Sequence, residues 1–560
     1  MTDSLHNTSI IRGIPLEEEQ GLGALTLGGF LEEVTARYGD REAAVFQGEQ
    51  GPERWSYDDL WAESMAVARA LLACGVGKGT RVGILMTNRL EFLSATFGTA
   101  LAGGIATTMS TFSTPTEMAV LLESSGCSVL LLERKILNKN FAGMLCELEP
   151  LISESRSGKL QSVAFPFLRH LAMVGGESTE GAIENWPEFL KRGEDISPDM
   201  VAATAANVTA ADPGVLFFSS GSTGKPKGIL SAHRGVCLQL WRWRKWLGLD
   251  REVRTWTANG FFWSGNFAIG IGGTLATGGC LVLQPTFKPD EALELMQHER
   301  VSYIFAWPHQ WAQLTDAHNW LDVDLSALTY IDANSPVARH PTINSDWIDA
   351  THAYGNTETF TLSTCYPANT SKAVSMGSHG LPVAGNTLKI VDPLTGTTQP
   401  RGERGEILVK GPTLMLGYIG IPLMECVDAE GFFPTGDGGY VDQQGRLFWE
   451  GRLNDIIKTG GVNVSPIEVD TVIAQFQGVK ITKTVGVPDE LLGELVVTCI
   501  VPQSGITLSE ASIQSQAKVQ LASYKTPRRV LFFDESELET TGSAKVKASE
   551  LRELAIKRLS

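Results

Sequence analysis

The chain has 560 residues, of which 43% are hydrophobic and 19% are charged, and this composition is typical of a globular protein with two or more domains. Its formal net charge of −17 is spread without long acidic blocks, which argues against general nucleic-acid binding because that function needs a basic face. The eight cysteines are scattered without metal-binding spacing, the first residues lack the apolar core of a signal peptide, and no apolar run is long enough to span a membrane. The sequence therefore predicts a cytoplasmic protein with no membrane span.

Strands and helices alternate through the region before Pro400. Ser56 and Asp59 form the pattern of a capping box, after which Leu60, Val67 and Leu71 fall on one face of a predicted helix. Short apolar runs predict strands at 82–86, 129–132 and 303–306, and residues 290–296 predict a helix. This alternation predicts an α/β fold with parallel sheets.

The pattern changes near Pro400, where short β-like segments separated by glycine turns begin. Strand-like segments at 496–501 and 530–533, with a helical stretch near 509–522, then indicate a smaller α+β unit. We place the boundary at Arg452, which gives an N-terminal domain of residues 1–452 and a C-terminal domain of residues 453–560. The predicted fold class is therefore α/β, with a large N-terminal domain of parallel-rich sheets, helices and a small β-barrel-like part, followed by a small α+β domain.

A polar loop follows the apolar run 215–218. Its sequence, SSGSTGKPKG at 219–228, combines glycines, hydroxyls and two lysines, which can direct backbone amides and charge-assisted donors at an anion. It is not the phosphate loop of P-loop nucleotide hydrolases, because Pro226 stands where that motif has Ser or Thr. The sequence predicts a polyphosphate cradle, and the alternative is an ordinary polar surface loop. A second basic cluster, Arg242 to Lys245, is also a candidate for contacting an anionic cofactor.

Four further clusters carry polar or charged residues at wide separation. They are Tyr354 to Glu358, Thr435 to Asp437, Gly451 to Lys458 with the glycines that follow, and Thr541 to Lys547. Each alone is equally typical of a solvated turn. Together with the loop at 219–228, and in this order, they closely resemble the acyl- and aryl-CoA synthetases of the adenylate-forming superfamily, over essentially the whole chain.

The resemblance implies a reaction in two steps. ATP converts a carboxylate into an acyl-adenylate with release of pyrophosphate, and a thiol, usually coenzyme A, then displaces AMP. It also implies a set of nucleotide-binding residues: Ser219, Ser220, Gly221, Ser222, Thr223, Gly224, Lys227, Tyr354, Gly355, Thr357, Asp437 and Arg452.

Individual roles follow from the same resemblance. Thr223 and Lys227 would contact the β- and γ-phosphates, and Glu358 would hold Mg²⁺ through a hard oxygen ligand. Thr357 would donate to the α-phosphate and Tyr354 would pack against adenine. Asp437 would accept from the ribose hydroxyls, with Arg452 supporting the same sugar.

The small C-terminal domain of the family rotates between the two steps. By this resemblance, Lys545 would bridge the substrate carboxylate and the α-phosphate during adenylation. The opposite face, from Lys458 to Gly461, would serve thioester formation, with Gly461 lining the passage for coenzyme A. The hinge position is Asn454, where the family usually has Asp or Lys.

The C-terminal loop departs from the family pattern. Glu539 stands in place of a proline and Ala544 in place of the glycine before Lys545. Alanine in a left-handed conformation costs roughly 1–2 kcal/mol, and loss of the proline loosens the loop. One hypothesis is therefore that adenylation is weak and that the enzyme depends on pre-formed acyl-adenylate; the alternative is that the alanine is harmless.

The acid site departs from the family as well. Asn334 lies in the segment Ala333 to Pro336, where the family has small residues, and Trp263 replaces a frequent histidine. The residues that we assign to acid binding are Phe262, Trp263, Phe267, Trp307 and Asn334. Such aromatic walls predict a bulky, rigid, hydrophobic acid in preference to acetate or an amino acid, although some of these aromatic residues could simply fill the core.

The leading functional prediction is an AMP-forming acid–CoA ligase, using ATP, Mg²⁺ and coenzyme A, which acts as a monomer or homodimer. The alternatives are an enzyme limited to thioester formation, an adenylation enzyme that loads a carrier protein, and a non-catalytic acyl-adenylate-binding protein. No attached carrier with a Gly-Gly-x-Ser site is found in the sequence.

Overall fold

The structure is a computed structural model that describes residues 8–48, 51–176, 181–220, 226–250, 252–349, 353–453, 457–464, 466–503, 505–534, 537 and 548–559. Residues 8–453 are called the large part below, and residues 457–559 the small part. The large part contains three sheets of five or more strands, and the small part contains one.

The largest sheet of the large part has nine strands. In spatial order they are Ile183–Asn185, His170–Val174, Val129–Glu133, Arg81–Leu85, Ile105–Thr108, Pro213–Ser220, Pro226–Ala232, Gly417–Tyr418 and Ile421–Pro422. The first six are parallel, and Pro213–Ser220 then pairs antiparallel with Pro226–Ala232. The segment predicted to cradle phosphate therefore connects two neighbouring strands of one hairpin.

The second and third sheets have five strands each. The second consists of Tyr303–Phe305, Arg254–Thr257, Cys280–Leu283, Glu42–Gly48 and Gly51–Ser56, and only its last pair is antiparallel. The third is an antiparallel, curled half-barrel of Ile10–Arg12, Thr387–Val391, Gly405–Lys410, Phe433–Val441 and Leu447–Arg452. Two short hairpins pair Lys135–Ile136 with Lys139–Asn140 and Thr364–Cys365 with Leu381–Pro382.

Helices cover the parallel sheets. The α-helices of the large part are Leu27–Tyr38, Tyr57–Ala73, Leu90–Leu101, Pro115–Ser125, Phe141–Leu148, Leu151–Glu154, Trp186–Lys191, Pro198–Ala206, His233–Leu247, Ser264–Asn266, Gly273–Leu275, Pro289–His298, Pro308–Thr315 and Lys372–Ser375. Phe267–Gly272 forms a π-helix, and Leu16–Glu18, Val337–Arg339 and Leu423–Glu425 form 3₁₀ turns. The predicted capping box is confirmed, because the Ser56 hydroxyl accepts from the Asp59 amide and the Asp59 carboxylate accepts from the Ser56 amide.

The small part is an α+β unit, as predicted. Its sheet contains Val462–Val464, Ile457–Thr459, Gly493–Pro502, Val479–Asp489 and Arg529–Phe532, of which the last pairs in parallel with Gly493–Pro502. Its helices are Pro466–Ile473, Glu510–Gln520 and Ala548–Leu559. The predicted α/β class, with a half-barrel sheet and a small α+β part, is confirmed.

Candidate active site

The phosphate-loop hairpin holds the first group of predicted residues. Ser219 is paired with Lys227 and Ser220 with Pro226, so both ends of the loop are fixed by strand pairing. The Lys227 ammonium lies 5.1 Å from the ring centre of Tyr418, on the neighbouring strand. Gly221, Ser222, Thr223 and Gly224 lie outside the described residues.

Glu358 lies on the other side of the same tyrosine. The Tyr418 hydroxyl donates to Glu358 Oε1 at 3.0 Å, and the Met415 amide donates to the Glu358 carbonyl oxygen at 2.8 Å. Tyr418 therefore connects the carboxylate predicted to bind the metal with the lysine predicted to bind phosphate. Sequence reasoning missed Tyr418, because its role depends on strand pairing with the hairpin and not on any local motif.

The segment from Tyr354 to Thr361 has an unusual backbone. An added Cβ at Gly355 would overlap the carbonyl of Thr361, so the close approach of these two backbone segments requires glycine. Phe360 and Thr361 have φ of 47° and 78°, a conformation that is rare for a β-branched residue. Strained residues of this kind cluster at functional sites, and these two lie two and three positions after Glu358. Thr357 Oγ1 accepts from the Ser264 hydroxyl at 3.5 Å, which brings this segment close to the predicted acid site.

A buried hydrogen bond joins Tyr354 to Asp437. The Tyr354 hydroxyl donates to Asp437 Oδ2 at 2.9 Å, and both side chains are buried. Asp437 is paired with Arg452 across neighbouring strands of the half-barrel sheet. Two clusters that are far apart in the sequence thus form one wall, on which the predicted adenine and ribose contacts are neighbours.

The predicted acid-site residues separate into two groups. Phe262 and Trp263 contact each other with ring centres 5.3 Å apart, and both line a cleft. Phe267 is fully buried and packs against Phe217 and Phe360, so the structure places it in the core and not on this cleft. Its assignment to the acid site remains a prediction, and its ring does not border the cleft that Phe262 and Trp263 line.

Asn334 is also separated from the cleft-lining pair. It is exposed, and both its backbone amide and its side-chain amide donate to Asp332 Oδ1, at 2.7 and 3.0 Å. These local hydrogen bonds hold the amide within its own turn. The assignment of Asn334 to acid binding remains a prediction, and its side-chain amide donates to Asp332 within the same turn.

The cleft lies where the large and small parts meet, and the space within it that is open to a water-sized molecule is about 40 Å³. Ser219 and Pro226 at the ends of the phosphate loop border it on one side, and Phe262 and Trp263 on another. The small part closes it with Ala522, Tyr524 and Lys525, and the remaining wall is formed by Thr108, Ser110, Ser113, Glu117, Leu121 and Phe218. The ring centres of Trp263 and Tyr524 are 5.8 Å apart, in an edge-to-face contact between the two parts.

Gly461 provides a second contact between the parts. It has φ of 79°, and an added Cβ would overlap the indole ring of Trp307. The hairpin of Ile457–Thr459 and Val462–Val464 thus approaches a residue that was predicted to bind the acid. In the same hairpin the Lys458 ammonium lies 2.9 Å from the ring centre of Trp449, and its backbone amide donates to Glu494 Oε2 at 2.8 Å.

Several predictions concern other parts of the chain. Asn454, Glu539, Ala544 and Lys545 lie outside the described residues, and Arg452 is placed only by its strand pairing. In the basic cluster at 242–245, Arg242 is not available to an anion, because it is fully buried in an ion pair with Glu19 (Nη2–Oε2, 2.7 Å). Within the described ranges no group of three or more potential ligands could hold a metal ion, and no helix is both long and apolar enough to cross a bilayer.

This fold and site define an adenylate-forming ligase, in which a phosphate-loop hairpin and a carboxylate-bearing wall lie under a small α+β part. The chain belongs to the AMP-binding enzyme family: that family matches residues 31–419, and the AMP-binding enzyme C-terminal domain matches residues 468–545. The protein is therefore an AMP-forming enzyme of the acyl-CoA ligase family, which confirms the predicted superfamily and enzyme class.

Individual relatives span almost the whole chain. A 3-[(3aS,4S,7aS)-7a-methyl-1,5-dioxo-octahydro-1H-inden-4-yl]propanoyl:CoA ligase of Mycobacterium tuberculosis is 33% identical and covers 90% of this chain and 94% of its own. A feruloyl-CoA synthase of an Amycolatopsis species is 28% identical and covers 89% of this chain and 93% of its own. The crystal structure of o-succinylbenzoate CoA synthetase from Bacillus subtilis has a TM-score of 0.71 at 22% identity and covers 94% of this chain and 98% of its own, which shows the shared fold.

Proposed function

We propose that this protein activates a bulky, rigid, hydrophobic carboxylic acid and transfers the acyl group to coenzyme A. The observation that carries the proposal is the aromatic wall of Phe262 and Trp263 beside the ends of the phosphate loop. The charged side chains bordering the same cleft, Glu117 and Lys525, neutralise each other at 3.2 Å. An apolar acyl group suits such a surface, because a second charge on the acid would have no free partner there.

The relatives support the same class of acid. The ligase of Mycobacterium tuberculosis is named for a bicyclic propanoyl group, and the synthase from Amycolatopsis is named for an aromatic one. Both names describe rigid ring systems joined to a short chain that ends in the carboxyl group. A flat or polycyclic acyl group would stack against Phe262 and Trp263 without the loss of conformational entropy that a long flexible chain incurs.

On the nucleotide side, each residue has a role that its surroundings fit. Asp437, fixed by the Tyr354 hydroxyl, would accept from the ribose, and Tyr354 itself would lie against adenine. Lys227 and the loop at 219–225 would neutralise the departing pyrophosphate, which lowers the barrier to attack by the carboxylate oxygen on the α-phosphorus. Glu358, oriented by Tyr418, is a hard oxygen donor that fits Mg²⁺, and the ion when bound would screen phosphate charge.

The small part would then deliver the thiol. Gly461 lies against Trp307, next to the predicted acid site, so we assign the present arrangement to the thioester-forming step. In that step the thiolate of coenzyme A attacks the acyl carbon of the adenylate, and the carbon–oxygen bond to AMP breaks. Because Gly461 has no side chain, the hairpin that carries it can approach the acyl group closely.

A panel of acids tests the proposal. Purified enzyme is incubated with MgATP, coenzyme A and either an indane-type propanoate, a cinnamate, octanoate or acetate, and AMP, acyl-adenylate and thioester are followed separately. We expect the ring-containing acids to exceed acetate in kcat/KM by about 100-fold or more. A preference for acetate would contradict the proposed acid class.

Two tryptophan variants sharpen the test. Trp263→Ala should reduce the preference for ring-containing acids over octanoate by about tenfold, since the aromatic wall is lost. Trp61→Ala is the matched control, because it removes a partly buried tryptophan from helix Tyr57–Ala73. Equal changes in the ratio for both variants would show that Trp263 does not select the acid.

The thioester-only alternative rests on Glu539 and Ala544. ATP–pyrophosphate exchange with the preferred acid decides between the alternatives, with Ala544→Gly as the paired variant. Slow exchange that Ala544→Gly accelerates supports impaired adenylation, whereas brisk exchange by the wild-type enzyme excludes it.

A further inference from the structure

Glu117 of the large part lies in the contact with the small part, and its two carboxylate oxygens have different partners. Oε2 accepts from the amide and the hydroxyl of Thr114, at 2.9 and 3.2 Å, which completes the capping box of helix Pro115–Ser125. Oε1 accepts from the Ala522 amide at 3.1 Å and from the Lys525 ammonium at 3.2 Å. The helix cap therefore fixes the carboxylate in an orientation that presents its second oxygen to the small part.

Lys525 has a second carboxylate partner within its own part. Its ammonium lies 2.7 Å from Glu468 Oε1, and the three charged side chains are at most 10% exposed. Although burial of the ammonium opposes the effect, Tyr524, Glu117 and Glu468 together raise the pKa of Lys525 above its ordinary value, so this lysine stays charged. Burial raises the pKa of Glu468 in spite of the neighbouring lysine.

Further contacts join the same two segments. The Thr114 hydroxyl oxygen also lies 3.2 Å from the Gln520 carbonyl oxygen, and the ring centres of Phe112 and Tyr524 are 6.2 Å apart. Tyr524 also contacts Trp263 of the cleft. The segment 112–117 of the large part and the segment 520–525 of the small part thus form one contact surface beside the cleft, which we call the docking contact.

We propose that Glu117 is a positioning residue for thioester formation, because its carboxylate holds the small part in the orientation that brings Gly461 to Trp307. The inference concerns the second step of the family reaction and does not depend on which acid is used. Glu117 belongs to the large part and binds Lys525, which is paired with Glu468. Lys525 and Glu468 both move with the small part.

The charges allow this contact to open and close. When the small part turns away, Lys525 keeps Glu468 as its partner, so its ammonium is not left buried alone. Glu117 loses one ammonium and one amide, but it keeps its helix cap and gains water in exchange. Opening therefore leaves no unpaired charge in the protein interior, and the capped helix stays intact in both arrangements.

Hydrogen exchange tests the proposal without any substrate. The Ala522 amide donates to Glu117 Oε1, so its protection reports the docking contact directly. In Glu117→Gln, peptides that contain Ala522 should exchange about tenfold faster or more, while peptides from Gly493–Pro502 in the core of the small part keep their protection. The matched control is Glu123→Gln, an exposed glutamate of the same helix, which should leave both sets of peptides unchanged.

The kinetic consequence separates positioning from a general structural role. With the acid that the wild-type enzyme converts fastest, Glu117→Gln should slow single-turnover thioester formation from acyl-adenylate and coenzyme A by about tenfold. ATP–pyrophosphate exchange should fall by a clearly smaller factor than thioester formation, since adenylation uses a different orientation of the small part. Unchanged protection at Ala522 would overturn the proposal, as would an equal loss in both half-reactions or faster exchange throughout the small part. If the acid panel contradicted the proposed acid class, the hydrogen-exchange experiment would still test the docking contact, because it uses no substrate.

Discussion

The nucleotide side and the acid side of the cleft are built differently. On the nucleotide side, Tyr354 and Asp437 are joined by a buried hydrogen bond, and Tyr418 orients Glu358. All four residues belong to the large part. On the acid side, Trp263 contacts Tyr524 and Trp307 lies against Gly461, so each wall residue of the large part has a neighbour from the small part.

This difference indicates which steps should depend on the orientation of the small part. These two hydrogen bonds can persist wherever the small part lies, since both partners of each belong to the large part. The acid side is completed only when Tyr524 and Gly461 are in place. Substitutions on the nucleotide wall and substitutions at the contacts with the small part should therefore affect different half-reactions, and three substitutions test that separation in order of expected effect.

The largest effect is expected at Glu358. Glu358→Gln removes the carboxylate proposed to hold Mg²⁺ while keeping the size of the side chain, and we expect ATP–pyrophosphate exchange to fall on the order of 100-fold. Thioester formation from pre-formed acyl-adenylate should change by less than about twofold. Glu425→Gln, an exposed substitution near Tyr418, is the control. If Glu358→Gln slowed ATP–pyrophosphate exchange and thioester formation by the same factor, the nucleotide side would not act in adenylation alone.

A smaller and opposite effect is expected at Gly461. Gly461→Ala places a Cβ in the Trp307 ring and strains a residue with φ of 79°, so the hairpin should move away from the acid site. We expect thioester formation to fall about tenfold or more in single-turnover measurements, with exchange nearly unchanged.

Gly493→Ala is the matched control for this substitution. Gly493 has the same φ of 79°, but the nearest atom to an added Cβ is 3.4 Å away, so the variant carries the backbone strain without the overlap. If both variants lose the same activity, backbone strain and not contact with Trp307 is responsible.

The smallest effect is expected at Tyr354. Tyr354→Phe removes one buried hydrogen bond to Asp437, which corresponds to about 1 kcal/mol and therefore to roughly a fivefold rise in the KM for ATP. Tyr440→Phe, on the same strand as Asp437, should leave that KM unchanged. If Tyr354→Phe slowed thioester formation and left the KM for ATP unchanged, Tyr354 would not belong to the nucleotide wall.

Local patterns in the sequence were enough to predict many elements of the fold. The capping box at Ser56 begins helix Tyr57–Ala73, and the apolar run at 215–218 lies within strand Pro213–Ser220. In both cases neighbouring residues determine the structure, either by hydrogen bonds to the first helical turn or by burial on both faces of a sheet. The order of motifs then identified the family, which the whole-chain similarity confirms.

Contacts between distant segments were not predictable in the same way. Tyr418 reaches Glu358 across 60 positions, and Glu117 reaches Ala522 across 405. Phe267 was assigned to the acid site as one of several aromatic residues, with Trp263 and Trp307, but its ring packs against Phe217 and Phe360 in the core. A short motif determines neither which face of an element is buried nor which distant side chain meets it.

The N-terminal segment has a consequence for where the folding unit begins. The match to the AMP-binding enzyme family model starts at residue 31, yet strand Ile10–Arg12 forms the edge of the half-barrel sheet and Glu19 neutralises the fully buried Arg242. Cleavage of the chain before residue 27 would leave that guanidinium without its carboxylate, at a cost of about 3–5 kcal/mol, and would expose the unpaired edge of strand Thr387–Val391. The stretch that resembles no motif is thus part of the minimal folded enzyme, and a proteolytic nick there would favour edge-to-edge association of neighbouring molecules.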